Sequence, residues 1–130
     1  IDMPPGTGDA YLTVASEIKP NHVILVTSQS KLAVQDTIKS KAMFEKLKIS
    51  MIGVVDNMSH SIYSNFDEQI FEFPSINLEN EIGLKVLGSI PRTKDLANFN
   101  PNKLSTFFEP LYNELLKVTS WSLKNLSQFI

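Results

Sequence analysis

The chain has 130 residues, 42% of them apolar and 20% charged, which fits one compact domain with a buried core. Twelve Lys and Arg against 14 Asp and Glu leave a formal net charge of −2, so no basic field exists to recruit nucleic acid or an anionic membrane. There is no cysteine, which removes disulfides, thiolate metal sites, cysteine nucleophiles and thiolate-held iron–sulfur clusters.

No apolar run approaches the ~18–20 residues of a membrane helix; the longest, Val23-Ile24-Leu25-Val26, is strand-sized. No signal peptide is visible. The chain opens on Ile1 rather than Met, inside what reads as a strand, and is expected to be incomplete at its N-terminus.

Ile1-Asp2 reads as the end of an apolar element, followed by Met3-Pro4-Pro5-Gly6-Thr7-Gly8. The prolines fix φ and remove donors while the glycines permit tight turns, which predicts a stiff loop. Asp9 is placed to cap a helix over residues 9–18, with Tyr11, Leu12, Ala15 and Ile18 on one face. Pro20 and Asn21 stop it.

Residues 23–26 lack polar alternation and read as a strand buried on both faces, the pattern of a parallel sheet. Ser30 is the expected cap of a helix to about Leu47, with Val34, Ile38, Ala42, Met43 and Leu47 at helical spacing. Met51-Ile52-Gly53-Val54-Val55 is a second buried strand, followed by a loop at residues 56–60. Residues 62–73 are less regular, with Ile70-Phe71-Glu72-Phe73 a short strand or hairpin arm. Residues 84–90 hold a third strand, closed by Pro91. Leu104, Phe107, Phe108, Leu111, Leu115 and Val118 make the stripe of a helix that Pro110 should kink or restart. Residues after about 119 read as a tail with Trp121, Leu123 and Leu126 at amphipathic spacing.

Strands alternating with helices predict an α/β fold, a parallel sheet with flanking helices. Such folds bind ligands at the carboxyl ends of their strands. Three unusual segments follow strand ends here: residues 2–8, 56–60 and 91–95. A carboxylate at a buried strand's end, before a Pro-Pro-Gly turn, suits nucleotide hydrolysis, because it can hold a water on Mg²⁺. A rigid turn with a helix cap is the competing reading.

Ile-Asp-Met-Pro-Pro-Gly-Thr-Gly-Asp at residues 1–9 resembles the Walker B and switch II segment of the Mrp/ApbC (NBP-type) P-loop ATPases, relatives of MinD and ParA. Val-Ile-Leu-Val-Thr at 23–27 with Ser28-Gln29 is similar to that family's strand and Thr-x-Gln turn. Asp36 with Lys39, then Met43-Phe44, resemble its next helix. Gly53-Val54-Val55-Asp56-Asn57-Met58-Ser59 resembles its next strand and loop, and Gly88-Ser89-Ile90-Pro91 the last strand of its nucleotide site. The resemblance spans about residues 1–95, in order.

The resemblance implies an ATP-binding and hydrolysing protein of the cytoplasm, linked to iron–sulfur cluster assembly, with ATP and Mg²⁺ as cofactors. It implies a homodimer and apo-protein clients as partners, without nucleic acid or membrane. Asp2 would be the catalytic Walker B carboxylate, ordering Mg²⁺ through water. Gly6 would contact the γ-phosphate. Asn57 would read adenine through its amide fork, and Pro91 and Arg92 would cover the base. On its own Asn57 reads more simply as a loop cap.

Residues 1–118 would be the C-terminal half of the ATPase domain and residues 119–130 a tail. Two departures stand out. Neither Gly-Lys-Ser nor Gly-Lys-Thr occurs, so the family's phosphate-binding loop is not within the chain. At the positions of the family's Cys-x-x-Cys cluster ligands stand Tyr63 and Phe66, and no cluster is expected there. His60 and His22 read as surface, and Asp67, Glu68, Glu79 and Glu81 as solvated. The alternatives are a non-catalytic interaction module and a MinD/ParA-like positioning ATPase.

Overall fold

The computed structural model describes residues 3, 8–62, 69–70, 75–98 and 101–126. In chain order these form α1 (Asp9–Glu17), β1 (His22–Thr27), α2 (Lys31–Lys46), β2 (Ser50–Ile62), β3 (Gln69–Ile70), α3 (Leu78–Ile82), β4 (Val86–Thr93), α4 (Lys94–Ala97) and α5 (Pro101–Leu126). The expected α/β architecture, a parallel sheet with flanking helices, is present.

β2 is the central strand. It pairs in parallel with β1, from His22↔Ser50 to Thr27↔Asp56, and with β4, from Val54↔Val86 to Ile62↔Thr93. β3 pairs antiparallel at Ser61↔Ile70 and Ile62↔Gln69. Because β4 occupies one edge of β2 through Ile62, β1 and β3 share the other edge. With partners on both edges, Gly53, Val54, Val55 and Asp56 are all buried, as their unbroken apolar lead-in predicts.

The core lies between this sheet and α2 with α3: Leu25, Val34, Phe44, Val54, Leu78 and Ile82 form one buried cluster. Tyr11 of α1 meets Phe44 edge to face, ring centres 5.8 Å apart. α5 covers the opposite face. Gly88 is in register with Val55, whose side chain alternates away from that of Val54, and a Cβ on Gly88 would lie 3.4 Å from Leu111 Cβ.

Several boundaries differ from expectation. Gly8 is the N-cap of α1 and Asp9 its first helical residue, so Asp9 serves the first turn rather than the cap. Ser30 does sit at the N-cap of α2, without a side-chain bond there. The buried side of α2 is Val34, Thr37 and Phe44, while Ile38 is 36% exposed and Ala42 exposed. Thr37 can be buried because its hydroxyl donates to the Ala33 carbonyl at 2.8 Å.

The loop expected at residues 56–60 is strand. β2 kinks at Met58, φ 54°, where Asn57 Oδ1 accepts the Met58 N–H at 3.0 Å, and pairing with β4 resumes at Ser61↔Arg92. β4 likewise runs through Pro91 instead of stopping there. Pro91 falls in the irregular stretch between Asn57↔Ile90 and Ser61↔Arg92, where a missing N–H breaks no ladder bond. α5 is a single helix with Pro110 inside it. Ile70 belongs to β3, and the remainder of the expected hairpin arm, residues 71–73, is outside the described residues.

Candidate functional site

Two buried parallel strands place their ends side by side: Thr27 of β1 is in register with Asp56 of β2, and both are buried. Two residues past β1, the Gln29 side chain crosses to β2. Its Nε2 donates to Asp56 Oδ2 at 2.7 Å, and its Oε1 accepts the Ile76 N–H at 2.8 Å. Asp56 is 5% exposed, and its other oxygen, Oδ1, has no partner among the described residues. Burial pushes the Asp56 carboxyl above the usual carboxylate range, opposed by the Gln29 bond and then by the charge of His60.

Asn57 follows on the same strand, half-buried. One side of its carboxamide closes the turn onto Met58, which leaves Nδ2 as its donor. Across the ladder Asn57 faces Ile90 of β4. Pro91, buried, and Arg92, exposed, come next. Of the expected site residues, Asn57 lies opposite Ile90, which Pro91 follows, while Arg92 is in register with Ser61. Ser59 stands behind them, its hydroxyl 2.8 Å from His60 Nδ1 and 3.4 Å from the Ile90 carbonyl. His60 is half-buried rather than plain surface, whereas His22 is exposed.

Asp2 and Gly6, expected at the metal and the γ-phosphate, lie outside the described residues, as do Tyr63 and Phe66. Among the described residues no group of three His, Cys, Asp or Glu side chains could hold a metal ion. The described residues at this edge are a carboxamide with a free donor on β2 and a proline and a guanidinium on β4. They hold no phosphate cradle. Asp36 and Lys39 pair with each other at 3.1 Å on the exposed side of α2.

A cavity of about 760 Å³ lies elsewhere, between α1, β1 and α2, walled by residues such as Tyr11, Val14, Val23, Leu25 and Phe44. No described helix is long and apolar enough to cross a membrane.

The Gln29–Asp56 pair was missed as a pair. Each residue stood in a recognised segment after a buried strand, and equal strand depth was the signal available.

The family model described as ParA, NUBPL iron-transfer P-loop NTPase, matches residues 1–121. An iron–sulfur cluster carrier protein of Pseudomonas fragi is 39% identical over 99 residues, covering 74% of this chain and 34% of that protein. The cell division ATPase MinD of Pyrococcus furiosus superposes with TM-score 0.67 at 21% identity over 90% of this chain and 50% of its own, a likeness of fold. A nucleotide-binding protein of Archaeoglobus fulgidus, solved with ADP, has TM-score 0.59 and 29% identity over 74% of this chain and 41% of its own. The chain spans 28% to 34% of the length of the first curated relatives it matches. With its order of strands, its strand-end segments and these matches in agreement, the chain belongs to the ParA family of P-loop NTPases, in the NUBPL iron-transfer group.

Proposed function

We propose that residues 1–118 are the C-terminal half of an ATP-binding and hydrolysing domain that serves iron–sulfur cluster assembly, with residues 119–130 a tail. The observation that carries this reading is the register that sets Asn57 opposite Ile90, with Pro91 and Arg92 following on β4, at the kink near the carboxyl edge of the sheet, in a chain of this family. Ligands of parallel α/β sheets bind at that edge. Asn57 Nδ2 donates to a ring nitrogen of adenine, and Pro91 and Arg92 cover the base. Gly6 lies against the γ-phosphate through its backbone, and Asp2 orders the water shell of Mg²⁺. Mg²⁺ held in this way would offset negative charge on the phosphate oxygens as water attacks in line.

The protein works as a homodimer in the cytoplasm, and its clients are apo-proteins that receive a cluster. The cluster itself is cargo. With Tyr63 and Phe66 at the family's ligand positions and no cysteine in the sequence, residues 1–130 supply no thiolate to hold it.

A second reading is a non-catalytic interaction module of the same fold. One experiment separates the two. In the longest native form of the protein, Asp2→Asn removes the charge that orders the Mg²⁺ shell and keeps the shape. ATP turnover should fall at least about tenfold, a barrier rise of ~1.4 kcal/mol, while ATP affinity changes little. Unchanged turnover would show Asp2 to be only a strand-end residue, and no turnover in the unaltered protein would sink the ATPase reading.

A further inference from the structure

Gln29 makes two bonds that the proposed chemistry leaves unused. The Ile76 N–H can only donate, so the amide oxygen of Gln29 must face it and the amide nitrogen must face Asp56. That fixes the polarity of the bridge: Asp56 Oδ2 is held as an acceptor. One side chain thereby ties together segments 27 and 47 residues away in sequence: the turn after β1, the end of the straight part of β2, and the chain entering α3. The ladders to β1 and β4 hold the Asp56 backbone, but its side chain has no second anchor, because its Oδ1 is buried without a partner among the described residues. It also directly precedes Asn57, whose carboxamide is bound into the Met58 kink. Whatever fixes Asp56 fixes the base of that kink.

We propose that Gln29 is a positioning residue for the base site: by clamping Asp56 it aims the Asn57 carboxamide, and so sets preference for a 6-aminopurine over a 6-oxopurine nucleotide. At N1 adenine accepts where guanine carries a donating N–H, so a carboxamide donor held opposite N1 discriminates between them. A carboxamide free to swing serves both. The inference rests on the adenine-nucleotide reading, and Gln29 itself touches no nucleotide.

The test uses the longest native form of the protein, with ATP·Mg²⁺ and GTP·Mg²⁺ affinities measured by calorimetry. Gln29→Glu sets a carboxylate oxygen against Asp56 Oδ2, acceptor against acceptor. It should lower the ATP-to-GTP affinity ratio about tenfold, the effect of one lost charge-assisted bond. Adding Asp56→Asn reverses the bridge, with the new amide donating to the new carboxylate, and should restore the ratio. Acidification should also partly restore it in Gln29→Glu alone, as the facing carboxyls come to share a proton. Gln29→Met, near in shape, gives the same reading should Gln29→Glu not fold. An unaltered protein that binds no ATP overturns the nucleotide reading and this inference with it. ATP binding with a ratio indifferent to Gln29, or a double variant no better than Gln29→Glu, overturns the inference alone.

Discussion

Asp56 carries a burial cost that its one hydrogen bond only partly relieves. In the unfolded chain its carboxyl titrates near the ordinary 3.8, and burial raises it in the fold. Between the two values the native state binds the extra proton, so stability falls as pH rises through the folded pKa, and the full cost stands above it. Asp56→Asn removes the charge and can still accept from Gln29. The stability advantage of that variant should therefore grow as pH rises above about 4, read as paired melting curves. A gap between variant and wild type that ignores pH would mean the buried charge costs nothing. Glu114 has the opposite sign: bonds from Lys117 and then Lys85 hold it down to about 2. Its contribution is present above 4.5 and is lost progressively as pH falls from there to about 2, mostly below the window that reports on Asp56. The sequence displayed both halves of the Asp56 bridge, Thr27-Ser28-Gln29 and Asp56-Asn57, each after an apolar strand. That they face each other follows from the register Thr27↔Asp56, which depends on pairing between distant strands and leaves no mark in either one.

β2 shows where hydrophobic pattern stops being informative about an element. Residues 51–55 are apolar and legible as a buried strand; residues 57–62 are largely polar and read as a loop. They are strand because β4 on one edge and β3 on the other supply their partners. Ser59 and Ser61 are buried in consequence. The short helices α3 and α4 escaped notice for a related reason. Each begins on a local cap, Asn77 Oδ1 accepting the Asn80 N–H and Thr93 Oγ1 accepting the Leu96 N–H, with too few residues to show a period. Gly53 tests how tightly β2 is held. A Cβ there would lie 2.5 Å from the Lys85 carbonyl oxygen and 2.8 Å from Leu87 Cγ. The Val54 N–H donates to that same carbonyl at 2.9 Å, so relief of the clash must disturb the start of β4. Gly53→Ala should cost ~1–3 kcal/mol, the usual penalty of overpacking, measured by denaturant unfolding. Unaltered stability would show that the β2–β4 seam yields more easily than these distances indicate.

Both β1 and β4 are edge strands among the described residues, each pairing with β2 alone. On β1, Val26 is 60% exposed, and the cavity of about 760 Å³ runs beside the strand under α1 and α2. The proposed nucleotide site is one-sided among the described residues: on that reading Asn57, Pro91 and Arg92 address a base, and none of them addresses a triphosphate. A single base-reading hydrogen bond contributes ~0.5–1.5 kcal/mol, or ~1.5–3 kcal/mol when a charged group takes part. A millimolar Kd already requires about 4.1 kcal/mol. Most of the binding energy of a P-loop site comes from backbone N–H groups and a lysine around the phosphates, and the 130 residues contain no Gly-Lys-Ser or Gly-Lys-Thr. The 130-residue chain alone should therefore bind ATP·Mg²⁺ more weakly than millimolar, while a longer form that includes a phosphate-binding loop should bind in the micromolar range usual for enzymes and their substrates. Calorimetry on both forms decides it. Micromolar affinity in the 130-residue chain would place the dominant contacts in residues 1–130, and would relocate the site from the base edge at Asn57 to the segment around Asp2 and Gly6.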